Sequence, residues 1–203
     1  MEEYAYILDY LPSGRPDDPK RRGPVAYAIG EEHFVLFELI PKETVSLLVG
    51  DKVYIGKETE QREHIERVRG RVAYGEMTHN AQSEMTYIIE KLVRDGEDRF
   101  LHIYNEGGPI STRMHVLELL PGLGKKLMTA ILEERKKGPF KSFEELDERV
   151  KPLHQPDKLI AHRIEMEIRE PNEKYHLYVR PPAREDEFGG PHHHARRGPP
   201  SDR

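Results

Sequence analysis

Between residues 4 and 72 the apolar positions come in short runs separated by turn residues, a pattern that predicts strands. Five strands are predicted, at 4–9, 25–30, 33–39, 51–56 and within 65–74. The period then lengthens. Residues 78–93 place Met85, Ile88, Ile89 and Leu92 on one helical face behind a Thr78 cap, and 99–104 reads as a short helix stopped by Gly107, Gly108 and Pro109. Met114, Val116, Leu117 and Leu120 predict a helix capped by Ser111 or Thr112, and Leu127, Ala130, Ile131 and Arg135 repeat the spacing after a break. Gly138 and Pro139 end that second helix, and Ser142 with Glu145 predicts a capping box for the next. A last amphipathic helix at 157–170 carries Leu159, Ile160, Ile164 and Ile168, so the carboxy half is expected to be all-helical, with five or six helices. Residues 175–179 alternate like a strand that returns to the amino-terminal sheet, and from residue 181 the chain has too few apolar groups to offset ordering entropy and is expected to be disordered.

Five short strands with one long first loop suggest a small closed barrel of the oligonucleotide/oligosaccharide-binding (OB) type. In such barrels the first loop and the middle strands meet nucleic acid through basic and aromatic side chains, and here the loop supplies Arg15, Lys20, Arg21 and Arg22. Tyr6, Tyr27, Phe34, Phe37 and Tyr54 suit a stacking platform or, more simply, the barrel core. Lys52, Lys57, Arg62, Arg67, Arg69 and Arg71 form either a basic strip or an ordinary solvated face, since Glu58, Glu60, Glu63 and Glu66 alternate with them.

The break inside the helical half is the most specific feature. Leu119-Leu120-Pro121-Gly122-Leu123-Gly124-Lys125-Lys126 reads as a helix-hairpin-helix, in which Pro121 stops one helix and Gly122 and Gly124 permit positive φ and close backbone approach. The helix restarting at Lys125 offers unpaired N–H groups and the positive end of its dipole to an anion. Residues 112–141 hold seven Lys or Arg, among them Arg113, against three Glu, an excess suited to phosphate. The plainer alternative is a turn joining two packed helices. This order of elements resembles the helix-hairpin-helix modules of DNA-uptake proteins. A second, degenerate hairpin is expected at 151–158, with Pro152 and His154 where the first has Gly122 and Gly124; it is predicted to be structural, so that neutralising Lys158 weakens binding far less than a bulky residue at Gly124.

Composition adjusts this picture modestly. The 203 residues carry a formal net charge of -5, so any basic surface must be local. The absence of cysteine excludes disulfides, thiolate metal sites and a cysteine nucleophile. No apolar run spans a membrane, and the acidic start lacks a signal peptide's features, so a cytoplasmic protein with no membrane partner is expected. His192, His193 and His194 suit adventitious metal binding at most. No nucleophile with a base, carboxylate pair or nucleotide-phosphate loop is recognisable, so the chain is read as a non-enzyme without cofactor. A nuclease using Mg and dispersed carboxylates, or a protein-interaction adaptor on a ribosome or polymerase, stands as the alternative.

Three stretches carry a wider likeness: Gly50 to Gly56, Arg99-Phe100-Leu101, and Thr112 to Lys126. On these the chain resembles an uncharacterised archaeal family, domain-of-unknown-function family 655, to about Arg180. The resemblance implies an α+β fold with an OB-like barrel followed by a helix-hairpin-helix (SAM-like) domain, and nucleic-acid binding with no known reaction. A family tendency to be encoded near translation and ribosomal-RNA modification genes tilts the implied ligand towards RNA, with ribosomal or transcription partners. The expected organisation is a barrel at 1–76, linking helices at 77–110, the hairpin domain at 111–170, a returning strand at 171–180 and a tail at 181–203. The expected contacts are Gly122, Leu123, Gly124, Lys125, Lys126 and Arg113, with Arg15, Lys20, Arg21 and Arg22 on the barrel loop.

Overall fold

Alternation along residues 5–8 sends Ala5 and Ile7 to one face of a sheet and Tyr6 and Leu8 to the other, and all four are buried. In a computed structural model, which describes residues 2–15 and 23–181, that strand is β1 (Tyr4–Leu11). With β2 (Val25–Gly30), β3 (Leu36–Pro41), β4 (Lys52–Tyr54) and β5 (Ile65–Arg71) it forms an antiparallel sheet in the order β4-β1-β2-β3-β5. One face gathers Ala5, Ile7, Ala26, Ala28, Leu39, Val53 and Ile65 around Leu47 and Ile55. The other, with Tyr6, Leu8, Tyr27, Ile29 and Phe34, is covered by helices.

The helices are α1 (His79–Asp95), α2 (Glu97–Glu106), α3 (Lys125–Arg135), α4 (Phe143–Arg149) and α5 (Pro156–Arg169). Thr78 caps α1 by accepting from Ala81 N at 3.1 Å, and α1 buries Met85, Ile88, Ile89 and Leu92 as the periodicity predicts. At about 1.5–3 kcal/mol for each large apolar side chain, this face outweighs any surface contact of the helix. The register of β1 with β2 slips between Ile7 and Asp9, and Asp9 accepts from Thr78 Oγ1 at 2.6 Å and Asn80 Nδ2 at 3.0 Å, tying the sheet to the start of α1. From the sheet's helix-facing side the core continues through α1 and α2 to Leu120, Ile131, Ile160, Ile164 and Val179.

Several expectations are corrected. Among the described residues the sheet is a curled half-barrel: β4 and β5 are both edges and do not pair, so the barrel does not close. The segment expected as the first hairpin helix instead holds a two-stranded hairpin, β6 (Pro109–Ser111) with β7 (Met114–His115), followed by a 3-10 turn over Val116–Leu119, so the carboxy half is not all-helical. Ser142 caps α4 by accepting from Glu145 N, but Glu145 accepts from Lys141 N, one residue before the cap, so the box is not reciprocal. Residues 175–179 do return to the sheet side, where Arg180 N donates to His33 O at 3.1 Å, but they form no strand. Their N–H groups turn inward, to a carboxylate on α5. The residues from 182 onward, including His192, His193 and His194, lie outside the described residues.

Candidate nucleic-acid interface

Leu120 and Leu123 are buried, and Leu123 N donates to Leu120 O at 3.0 Å, so the chain between them is pressed into a turn whose far side faces solvent. Gly122 sits at the crest with φ 81°, a conformation that costs other residues about 1–2 kcal/mol. Gly124 does not share it; at φ -79° it is the extended N-cap of α3, which corrects the expectation of two positive-φ glycines. A Cβ at either glycine would meet nothing within 4 Å, so the bend is open.

The donors of this bend are divided. Leu123 N is taken by Leu120 O, and Gly124 N by Gly122 O at 3.2 Å, so neither points freely outward as expected. Met128 N bonds to Gly124 O, closing the first helical turn. The N–H groups of Lys125, Lys126 and Leu127 have no partner among the described residues, because Gly124 has no side chain with which to cap them. The unclaimed donors therefore lie one step further along than the glycines, where the positive helix end adds to them.

Of the seven basic residues in 112–141, Arg135 donates to Tyr104 O and Gly107 O and holds α3 to the end of α2. Lys136 and Lys137 pair with Glu133 at 2.6 Å and Glu134 at 2.5 Å, and the bond from Lys137 holds the Glu134 carboxyl below its ordinary value. Arg113, Lys125, Lys126 and Lys141 are exposed and form no ion pair among the described residues. The two lysines at the start of α3 are thus unpaired, whereas those just past its far end are held by glutamates. Chemically, the start of α3 can hold an anion by backbone donors and two ammonium groups.

Two supports of the bend escape sequence reasoning. His115 Nδ1 accepts from Leu117 N at 3.1 Å while Glu118 accepts from His115 N at 2.8 Å, fixing the 3-10 turn that leads into the bend. Burial lowers the His115 pKa, with Arg135 acting in the same direction. Arg163 on α5 donates to Leu119 O at 3.3 Å from beneath, its guanidinium paired with Glu167 at 2.8 Å, both side chains almost wholly enclosed. An Arg and a Glu four apart on the face that carries Ile160, Ile164 and Ile168 was the available signal.

The turn between α4 and α5 repeats the first one. Leu153 N donates to Val150 O at 2.7 Å, with both side chains buried, as Leu123 and Leu120 are thirty residues earlier. Pro152 and His154 thus stand where Gly122 and Gly124 stand in the first turn. Gln155 takes positive φ, 52°, just before α5.

The barrel-loop residues fare differently. Lys20, Arg21 and Arg22 lie outside the described residues. Arg15 lies 3.6 Å from Glu38, which also pairs with Arg69, so it is not a free cation. The basic strip is also partly consumed: Lys52 pairs with Glu31, and Arg62 donates to Ile55 O and Gly56 O. Tyr6, Tyr27 and Phe34 are core residues, facing the helices. No group of three His, Asp or Glu side chains gathers as a metal site, and no helix is long and apolar enough to cross a membrane, among the described residues.

Residues 1–180 match a family model described as "Protein of unknown function (DUF655)". A relative called "Uncharacterized protein MJ0038", from Methanocaldococcus jannaschii, is 43% identical over 181 residues, which cover 89% of this chain and 81% of the relative. A solved structure, "Crystal structure of Af1531 from Archaeoglobus fulgidus, family-model DUF655", superposes with a TM-score of 0.83 at 44% identity, covering 88% of this chain and all of the other.

Proposed function

The chain belongs to the DUF655 family, whose description names no function, and from the anatomy of the bend we propose that it binds nucleic acid through the phosphate backbone. The observation that carries this reading is the set of three unclaimed N–H groups at Lys125, Lys126 and Leu127, beside an open glycine turn and two unpaired ammonium groups. A phosphate satisfies all of these together. The repeated Leu120/Leu123 and Val150/Leu153 turns support reading residues 116–169 as a helix-hairpin-helix pair whose first helix has shortened to a 3-10 turn and whose second hairpin has lost its glycines. The strand order β4-β1-β2-β3-β5 supports an OB-like sheet with an open seam, a second surface that a strand can reach. Contacts of this kind position a protein and carry little sequence information, so recognition is sequence-tolerant.

The test is a titration with single-stranded and duplex RNA and DNA at several salt concentrations. Three phosphate contacts give a log-log slope of about 2 to 3 in magnitude. Binding that is weak and independent of salt would contradict the proposal.

A further inference from the structure

A second site lies at the carboxy end of α5, and none of its lining residues belongs to the glycine bend. Between the ends of β3 and β5, the carboxy end of α5 and residues 179–181 there is a cleft of about 780 Å³, within the size range of small-molecule sites. Its floor is apolar, built from Phe34, Leu36, Val72 and Ile168. Three arginines, Arg71, Arg169 and Arg180, also line it.

The charges there do not cancel. Glu167 is spent on Arg163 and on the N–H groups of Leu177, Tyr178 and Val179, and Glu76 accepts from Ala73 N at 2.8 Å. Arg71 reaches only Pro181 O, at 3.4 Å, and Arg180 has no side-chain partner among the described residues, although its backbone N–H fixes it to His33 O. Arg169 is paired with Glu165 at 2.5 Å and lies over the Tyr74 ring at 4.9 Å, so it contributes a flat face more than free charge. An apolar slot, one guanidinium already stacked on an aromatic ring, and two guanidinium forks without carboxylate partners match a ligand with a planar apolar part and a phosphate.

We propose that this cleft binds a nucleotide, its base against the Tyr74–Arg169 stack and the apolar floor, its phosphate on Arg71 and Arg180. The natural source, an unpaired nucleotide in a strand, rests on the nucleic-acid reading above; the site itself does not.

The experiment follows heteronuclear NMR shifts of the full chain titrated with AMP, adenosine, inorganic phosphate and a single-stranded adenylate hexamer. AMP shifts Tyr74 and Arg169 and binds tighter than adenosine or phosphate alone, because base and phosphate act together. With the bend weakened by K125Q/K126Q, the hexamer shifting Tyr74 and Arg169 at lower concentration than AMP identifies a strand as the source, and equal affinity identifies the free nucleotide. Replacing two charge-assisted contacts in R71Q/R180Q weakens AMP binding, read from the Tyr74 and Arg169 shifts, by at least about tenfold, while K136Q/K137Q, outside the cleft lining, leaves it unchanged. Phosphate shifting the cleft residues as tightly as AMP, shifts absent from the cleft, or a Glu/Asp-rich peptide binding there where AMP does not would each overturn the proposal. The wild-type comparison of AMP with adenosine needs no variant, so misfolding of R71Q/R180Q cannot hide the answer. Duplex binding at the glycine bend is measured separately by its salt slope, so either reading can fail alone.

Discussion

Gly122 and Gly124 sit two residues apart and do different things. Gly122 needs its missing Cβ for backbone reasons, since φ 81° is strained for any L side chain even though the space beside it is empty. Gly122→Ala should therefore lower stability by about 1–2 kcal/mol in urea unfolding. Gly124 has ordinary φ, and its value is that it leaves the first α3 donors uncapped. Gly124→Ser should change stability by only a few tenths of a kcal/mol, because the hydroxyl caps the helix, while weakening nucleic-acid binding by competing for the same N–H groups. A serine that strengthened binding would contradict the proposed role of those donors. His115 makes the bend sensitive to pH. Its Nδ1 accepts from Leu117 N only when neutral, and its folded pKa lies below the ordinary 6.5. The unfolded chain then binds more protons than the folded one below about pH 7, so stability rises with pH and is lost as pH falls through 6.5 towards the folded value. His115→Asn, which keeps an acceptor without a titration there, should flatten that part of the pH profile in thermal melts.

At the scale of elements, α3 separates two kinds of lysine that the sequence counts alike. Lys125 and Lys126 lie beside free donors, whereas Lys136 and Lys137 are held by Glu133 and Glu134. Replacing the first pair by Gln should reduce the log-log salt slope by about 1.4 to 1.8, and replacing the second pair should leave it nearly unchanged. Equal losses would mean a diffuse charge effect with no defined site. The α3 start and both ends of the glycine turn were legible, because Pro, Gly and the return of apolar spacing are local signals. The preceding segment was not. Leu117, Leu120 and Leu123 recur every three residues, which fits a helical face but equally a 3-10 turn running into a β-turn, and the Ser111 to Met114 stretch closes a hairpin with no Asn-Gly or Asp-Gly to announce it. The strands of the sheet were legible from alternation, whereas closure was not, since pairing of β4 with β5 depends on shear and curvature that no single strand encodes.

At the scale of the whole molecule, one buried ion pair touches three segments at once. Arg163 reaches Leu119 O, next to the glycine bend, and Tyr175 O, while Glu167 receives the N–H groups of Leu177, Tyr178 and Val179 at 2.8 to 3.0 Å. Residues 175–180 then cross to the sheet, where Arg180 N meets His33 O. The pair therefore links α5, the bend and the sheet, and its worth lies in what it organises, because a buried ion pair adds little net stability over apolar packing. Removing one partner is different. Glu167→Ala leaves the enclosed Arg163 guanidinium with Glu173, at 3.7 Å, as its remaining carboxylate partner and three backbone donors unanswered, and should cost about 3 kcal/mol in chemical unfolding. Glu167→Gln keeps one acceptor and should cost less. If the linkage is as drawn, Glu167→Ala should also raise amide exchange at Leu120 and Leu123, in the bend, and around His33, on the sheet, and leave Ile88 and Ile89 inside α1 protected. Exchange that rose only within residues 175–180 would mean that the segment is a surface strap, and that the bend keeps its shape without it.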